Sequence, residues 1–388
     1  MSMPASSPTP ASPVLPMLAK PVARVPGPDA AGGPFSYEPK WDGFRAIVQA
    51  GADGVEIFSR SGKPMTRYFP DVVVAVAQEF SGSDLADGLL LDGEIVLARG
   101  SRLDFELLGQ RIHPAASRVA MLAEHAPATL VVFDLLAAGG RDLAGEPLRE
   151  RLAALDDLAI TGPRVQVTPR SLDAGEAEGW LAEFEGAGLD GVIAKPLDAP
   201  YAPGKRTMLK IKHARTADVV LAGYREHKES TPEAPLLGSL LLGLWEGEEL
   251  QFVGVSASFP KARRAELIAE LAPLAVDVED SDAMAAHPWG AWADPAAHES
   301  GRKPGAVSRW SGGKDLSFTP LRPERVLEVG YDHMEGTRFR HTTQFKRWRP
   351  DREPRSCTYA QLEEVVGYDL AEILPGAPAA ADDFRGSL

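Results

Sequence analysis

The run Leu89-Leu90-Leu91-Asp92-Gly93-Glu94-Ile95-Val96-Leu97 restricts the possible folds more than any other stretch. It is apolar enough to be a strand, yet two carboxylates and a glycine sit at its centre. A charge inside an apolar strand is costly unless it is paired or bound to a metal. Any fold that keeps this strand must supply such a partner. A second run, Leu130-Val131-Val132-Phe133-Asp134-Leu135-Leu136, reads as a fully buried strand.

A third stretch, Glu38-Pro39-Lys40-Trp41-Asp42-Gly43-Phe44-Arg45, gathers a lysine, an arginine, two acids and a glycine between apolar flanks. A lysine beside a turn becomes a covalent nucleophile if its amine loses its proton. Burial and cationic neighbours favour that loss, whereas Asp42 opposes it. Gly43 permits a tight turn or a close ligand, and Arg45 offers a fork of donors suited to phosphate. A solvated turn with a snorkelling lysine explains the octet alone equally well.

Around these stretches the chain reads in order. Residues 1–16 are rich in Ser, Pro and Ala and are expected to be disordered. Strands are predicted at Phe44–Gln49, Val55–Ser59, Gly191–Lys195 and Leu209–His213, the last placing Lys210 and Lys212 on one face. Helices are predicted at Asp71–Phe80, Phe105–Ile112 with Asp104 as its cap, Leu148–Leu158 and Ala174–Gly186. Beyond Asp218, strands at Val219–Tyr224, Gly238–Trp245, Gln251–Val255, Val326–Tyr331 and Arg338–Arg340, with one helix at Lys261–Leu271, suit an OB-type barrel. The stretch 277–313 reads as a long surface insertion, and Thr358–Leu374 as a helix before a disordered tail.

The single cysteine, Cys357, excludes an internal disulfide or a multi-cysteine zinc site and fits a reducing cytoplasm. No apolar run is long enough for a membrane span, and no secretion signal opens the chain. The net charge of −14 speaks against a polyanion partner, but its distribution does not. Thirteen Lys/Arg face seven Asp/Glu between Arg302 and Arg355, and seven face two between Lys205 and Lys228. Gly186-Ala187-Gly188-Leu189-Asp190-Gly191 matches a dinucleotide-binding pattern but follows a helix and precedes a strand, so it is rejected. No P-loop occurs.

Read for short motifs, Lys40-x-Asp42-Gly43-x-Arg45 resembles the nucleophile motif of the covalent nucleotidyltransferases, which are ATP-dependent DNA ligases, RNA ligases and capping enzymes. Further pieces follow in the family's order: Ser59-Arg60-Ser61-Gly62, Leu91-Asp92-Gly93-Glu94, Val132-Phe133-Asp134, Asp190-Gly191-Val192-Ile193-Ala194-Lys195, Leu209-Lys210-Ile211-Lys212 and Arg347-Trp348-Arg349-Pro350-Asp351-Arg352. Seven weak motifs in order are strong together. Asp190 stands where the family usually has glutamate, and Arg352 where lysine is common. Pro203–Arg206, Lys212–Asp218 and His341–Pro354 extend the likeness to the compact actinobacterial ligase C type, over roughly residues 14 to 370.

The resemblance implies an α+β fold. An adenylation (nucleotidyltransferase) domain of antiparallel sheets with flanking helices would span 17–215, and an OB-fold β-barrel domain 216–355, followed by a C-terminal helix and tail over 356–388. It also implies a DNA ligase that seals nicks with a 3′-hydroxyl and a 5′-phosphate, acting in repair or recombination as a cytoplasmic monomer. Lys40 would form the lysyl–AMP. Glu38, Arg45, Arg60, Glu94, Phe133, Lys210 and Lys212 would bind ATP, with Phe133 stacked on adenine and Glu38 at its edge. Glu94 and Asp190 would hold Mg²⁺ or Mn²⁺, Asp190 through a water, and Arg349, Asp351 and Arg352 would orient pyrophosphate. An RNA ligase or a capping-type guanylyltransferase stays open, separable by ATP against GTP and DNA against RNA nicks. A non-catalytic OB-fold DNA-binding protein also stays open and would form no covalent adenylate.

Overall fold

Apolar residues at alternate positions give this chain two main sheets in its first compact unit and one large sheet in its second. The computed structural model describes residues 13–80, 88–184, 186–212, 215–292, 303–304, 317–362 and 368–384. The first unit comprises residues 1–213 and 365–388, and the second 214–364.

In the first unit, Leu18–Val22, Arg206–Ile211, Val192–Pro196 and Phe35–Pro39 form a four-stranded sheet in that order. Phe35, Tyr37, Val192, Ala194, Leu209 and Ile211 point to one side, where they pack with Trp180 and Phe184. Their alternates, Glu38, Ile193 and Lys210, fall in register across three strands on the other side. A second, six-stranded sheet runs Val165–Val167, Thr129–Ala138, Leu89–Val96, Phe44–Gly51 and Gly54–Ser59, with Arg141–Asp142 pairing on Thr129–Ala138. Its core includes Val48, Leu91, Ile95, Leu130, Val132 and Leu135, covered by the helices Pro70–Glu79 and Leu148–Asp157. Residues 40–43 are the short link that carries the chain from one sheet to the other.

The acids in the apolar strands find their partners here. Asp92, fully buried, takes both edges of Arg45 at 2.6 and 2.7 Å and the Tyr201 hydroxyl at 2.6 Å. Asp134 is held by Arg151 at 2.7 and 2.9 Å. Asp104 caps its helix as expected, accepting from Leu107 N at 2.8 Å, but that helix is only Phe105–Gly109. The strand Phe35–Pro39 and the helix Ala116–His125 were not expected from sequence.

The C-terminal stretch corrects the sequence reading. In place of a helix over 358–374, 3-10 turns occupy Tyr359–Gln361 and Leu370–Glu372, while residues 363–367 lie outside the described residues. Leu370 and Leu374 bury themselves beside Trp180 and Phe184, and Ala379–Ala380 pairs with Ala98–Arg99. The tail expected to be disordered is therefore a docked strap through residue 384. Apolar burial and a strand edge hold it. Residues 1–12, most of the N-terminal segment expected to be disordered, lie outside the described residues.

In the second unit five strands pair in the order Glu249–Ser256, Leu237–Glu246, Arg215–Glu226, Thr319–Tyr331 and Gln344–Trp348. The helix Lys261–Leu271 falls where sequence put it. The fifth strand does not: Arg338–Phe339 makes only a two-residue hairpin with Met334–Glu335, and Gln344–Trp348 fills the place. Nor does the sheet close as a barrel. Among the described residues its edges meet at one parallel bridge, Ser256 with Thr343 just before Gln344–Trp348, where Thr343 N donates to Val255 O at 2.9 Å and Ser256 Oγ to Thr343 O at 3.1 Å. The stretch read as a surface insertion starts exposed, over residues 277–286, and then enters the core. Trp289 is fully buried and donates to Leu250 O at 2.7 Å, and His287 sits between the carbonyls of Ala222 and Leu321. Burial pushes that imidazole below its ordinary pKa. Residues 293–302 and 305–316, which include part of the basic stretch between Arg302 and Arg355, lie outside the described residues.

Candidate active site

Between the two sheets of the first unit lies a cleft of about 610 Å³. The four-stranded sheet contributes Glu38, Ile193, Met208 and Lys210, the six-stranded sheet Arg45, Glu94 and Phe133, and the bend after Gly54–Ser59 contributes Arg60. Lys40 lines the same cleft from the link between the sheets. Two glycines make that placement possible. A Cβ on Gly43 would lie 2.1 Å from Ile95 O and 3.1 Å from the Glu94 side chain. Gly191 has φ +126°, and a Cβ there would lie 2.0 Å from Ile211 O. The backbone then locks Lys40 against Asp190-Gly191, with Lys40 N donating to Gly191 O and Asp190 N to Lys40 O, both at 2.8 Å.

Side chains repeat that pairing. Lys40 Nζ donates to Asp190 Oδ2 at 2.6 Å, and Lys212 Nζ lies 3.2 Å from the same oxygen. Asp190 thus sits between two lysines, both about three-quarters buried. Lys210, on the strand that leads to Lys212, has its ammonium pushed below its ordinary pKa by burial, then by Lys212, Lys40, Arg206 and Arg60. Burial pushes the Glu94 carboxyl up to about 7, against the pull of Arg45 and Lys40. Glu38, 4% exposed, is raised by burial as well and pairs with Lys195 Nζ at 2.8 Å.

The cleft therefore gathers Lys40, Glu38, Arg45, Arg60, Glu94, Phe133 and Lys210, with Asp190 and Lys212 beside Lys40. Arg45, expected from sequence as a phosphate donor, also has partners within the protein. Its guanidinium is committed to Asp92 and lies over the Phe133 ring, 4.4 Å from the centroid. Arg349, Asp351 and Arg352 belong to the second unit. There Arg349 Nη1 meets both oxygens of Asp218 at 2.9 Å, its Nη2 meets Asp351 at 2.8 Å, and Arg352 Nε lies 3.3 Å from Asp218. The hydrogen bond from Arg349 is the main reason that Asp351 is held down to about 2.

Sequence reasoning asked for a partner for Asp92 without naming one, and gave no role to Lys195, Tyr201 or Asp218. Strand alternation put Lys195 on the same face as Ile193, which was a usable signal. The partners of Asp92 and Asp218 are 47 and 131 residues away in the chain and left none.

No group of three or more His, Cys, Asp or Glu positioned for a metal ion occurs among the described residues. Mg²⁺ does not need one, since it is commonly held by one or two carboxylates together with substrate phosphates and waters. Glu94 suits that role, as a carboxylate in a cleft of cations whose ionisation burial opposes and a bound cation would favour.

A lysine at the joint of two sheets, over a cleft walled by lysines, arginines and partly buried carboxylates, has the form of a nucleotidyltransferase. The profile "ATP dependent DNA ligase domain" matches residues 16–212, and "ATP dependent DNA ligase C terminal region" matches residues 233–352. DNA ligase C of Mycobacterium tuberculosis is 53% identical over 94% of this chain and 98% of its own length. DNA ligase C2 of Mycolicibacterium smegmatis is 54% identical over 90% and 94%. A solved structure of a Lig E DNA ligase shares the fold with a TM-score of 0.50 at 17% identity, over 87% of this chain and all of that one. The chain belongs to the ATP-dependent DNA ligases, of the actinobacterial type.

Proposed function

We propose that this ligase seals nicks in double-stranded DNA through a covalent adenylate on Lys40, acting as a cytoplasmic monomer in DNA repair. The observation that carries the reading is the position of Lys40 Nζ. It sits in a nucleotide-sized cleft, fixed by backbone hydrogen bonds and held by one carboxylate. The amine attacks the α-phosphorus of ATP in line, forming the N–P bond as the bond to pyrophosphate breaks. The DNA 5′-phosphate then takes AMP from the lysine, and the 3′-hydroxyl finally displaces AMP to close the backbone. Chemistry of this kind is mostly positioning and charge neutralisation.

Lys210, Lys212 and Arg60 supply positive charge to the phosphates, with Arg45 orienting from its seat on Asp92. Phe133 stacks on adenine and Glu38 accepts from its amine. Glu94, with Asp190 through a water, would hold Mg²⁺, which when bound neutralises charge on the phosphate oxygens. Asp190 also keeps Lys40 aimed across the link. Arg349, Asp351 and Arg352 act on pyrophosphate once Arg349 exchanges Asp218 for the leaving group. Among the described residues no helix is long and apolar enough to cross a membrane.

The test is sealing of a duplex with one 3′-hydroxyl/5′-phosphate nick, compared with the same nick in RNA and with GTP replacing ATP. The expected result is ATP-driven joining of the DNA nick. Joining of RNA alone, or transfer from GTP alone, would contradict it.

A further inference from the structure

One buried cation at the cleft has no task in this scheme. Lys195 is 2% exposed, and its Nζ donates to Glu38 at 2.8 Å and to Phe133 O at 2.9 Å. The same atom lies 4.3 Å from the centroid of the Phe133 ring. The register explains this convergence. Ile193 stands opposite Glu38, so Lys195, two residues on, is Glu38's diagonal neighbour on the same face, within reach of a long side chain. An ammonium is costly to bury unless it is paired. Both of its partners here are the residues assigned above to the nucleobase.

We propose that Lys195 is the positioning residue of the nucleobase pocket, holding Glu38 ionised and fixed beside Phe133 so that the pocket selects a purine with an amine at the six position. The inference rests on the base-reading roles given to Glu38 and Phe133 under Proposed function. At that position adenine offers an N–H donor and guanine a carbonyl acceptor. An ionised carboxylate can only accept, whereas a protonated one also donates. Burial pushes the Glu38 carboxyl toward its neutral form, and Lys195 is the largest opposing influence. The other charges acting on it are Arg45, which also favours ionisation, and Asp134, which opposes it and is itself held by Arg151. Without Lys195 the acid should be neutral at lower pH, able to donate to the guanine carbonyl, and should ionise only as pH rises.

The experiment measures lysyl–nucleotide formation by full-length protein with ATP and with GTP, as a ratio of kcat/KM values, across about pH 6 to 9. Groups that act on both substrates alike cancel in this ratio. Wild type should prefer ATP at every pH. Lys195→Met and Lys195→Gln should lose at least about tenfold of that preference at the acidic end and regain it toward the alkaline end. Lys195→Arg, which stays charged, should keep the preference. Glu38→Gln should lose preference at all pH values. An unchanged ratio in Lys195→Met and Lys195→Gln, or parallel loss with both nucleotides, would overturn the proposal. If neither neutral variant folds, Lys195→Arg decides: loss of preference in a folded Arg variant overturns it. An unchanged ratio in Glu38→Gln would instead remove the base-reading role of Glu38 itself.

Discussion

Glu94 shows how function and stability pull apart at a single residue. Its carboxyl is raised from 4.5 to about 7 by burial, so the folded protein binds that proton more tightly than the unfolded chain does. Stability is then fullest below the unfolded value and falls as pH rises toward the folded one. The cost, fully present above pH 7, is of order 3 kcal/mol. Glu94→Gln should therefore stabilise the ligand-free protein at about pH 8, with a gain that shrinks toward pH 5, while nucleotide transfer falls. Denaturant unfolding at both pH values checks this, and a pH-independent gain would contradict it. For Asp190, Asp190→Asn should cut sealing by orders of magnitude and Asp190→Glu far less, measured as single-turnover joining. Equal, parental rates in both would leave it a turn residue. Much of this site was legible because the family's short motifs lie on strands and turns that sequence also predicts. What stayed hidden was pairing: nothing local to Arg45 or Arg349 announces Asp92 or Asp218.

Secondary elements with alternating or helical periodicity were legible, and their ends were less so. Lys261–Leu271 and the strands through Leu91 and Val132 follow their residue patterns. Gln344–Trp348 was missed because its residues are largely polar and exposed, an edge strand with little apolar alternation to read. The 277–313 stretch misled through composition. Acidic, glycine- and proline-rich residues suggest a surface loop, yet one tryptophan and one histidine anchor its first part in the core. Trp289→Ala should thus cost about 3–5 kcal/mol of unfolding free energy in the second unit, as deletion of a buried aromatic does. A change under about 1 kcal/mol in denaturant titration would return this segment to the surface.

At the scale of the whole molecule, the proposed chemistry is divided between two units. Lys40 and the nucleotide cleft lie in one, and Arg349 and Arg352 in the other. Pyrophosphate leaves only in the first step, so Arg349→Ala with Arg352→Ala should block lysyl–AMP formation. The same double variant should join a nick already carrying 5′-AMP within about tenfold of wild type, a barrier change under about 1.4 kcal/mol. Equal and severe loss in both assays would assign these arginines to DNA binding or folding. Affinity for nicked duplex should also fall steeply with salt despite the net charge of −14, because the basic stretches displace counterions from DNA phosphates. A flat slope of log affinity against log salt would contradict DNA as the partner. The most direct test of the central claim is intact mass spectrometry after incubation with ATP and Mg²⁺, followed by peptide mapping. The expected result is a gain of one AMP, located on Lys40 and absent from Lys40→Ala. AMP on another residue, or on Lys40→Ala, would contradict it.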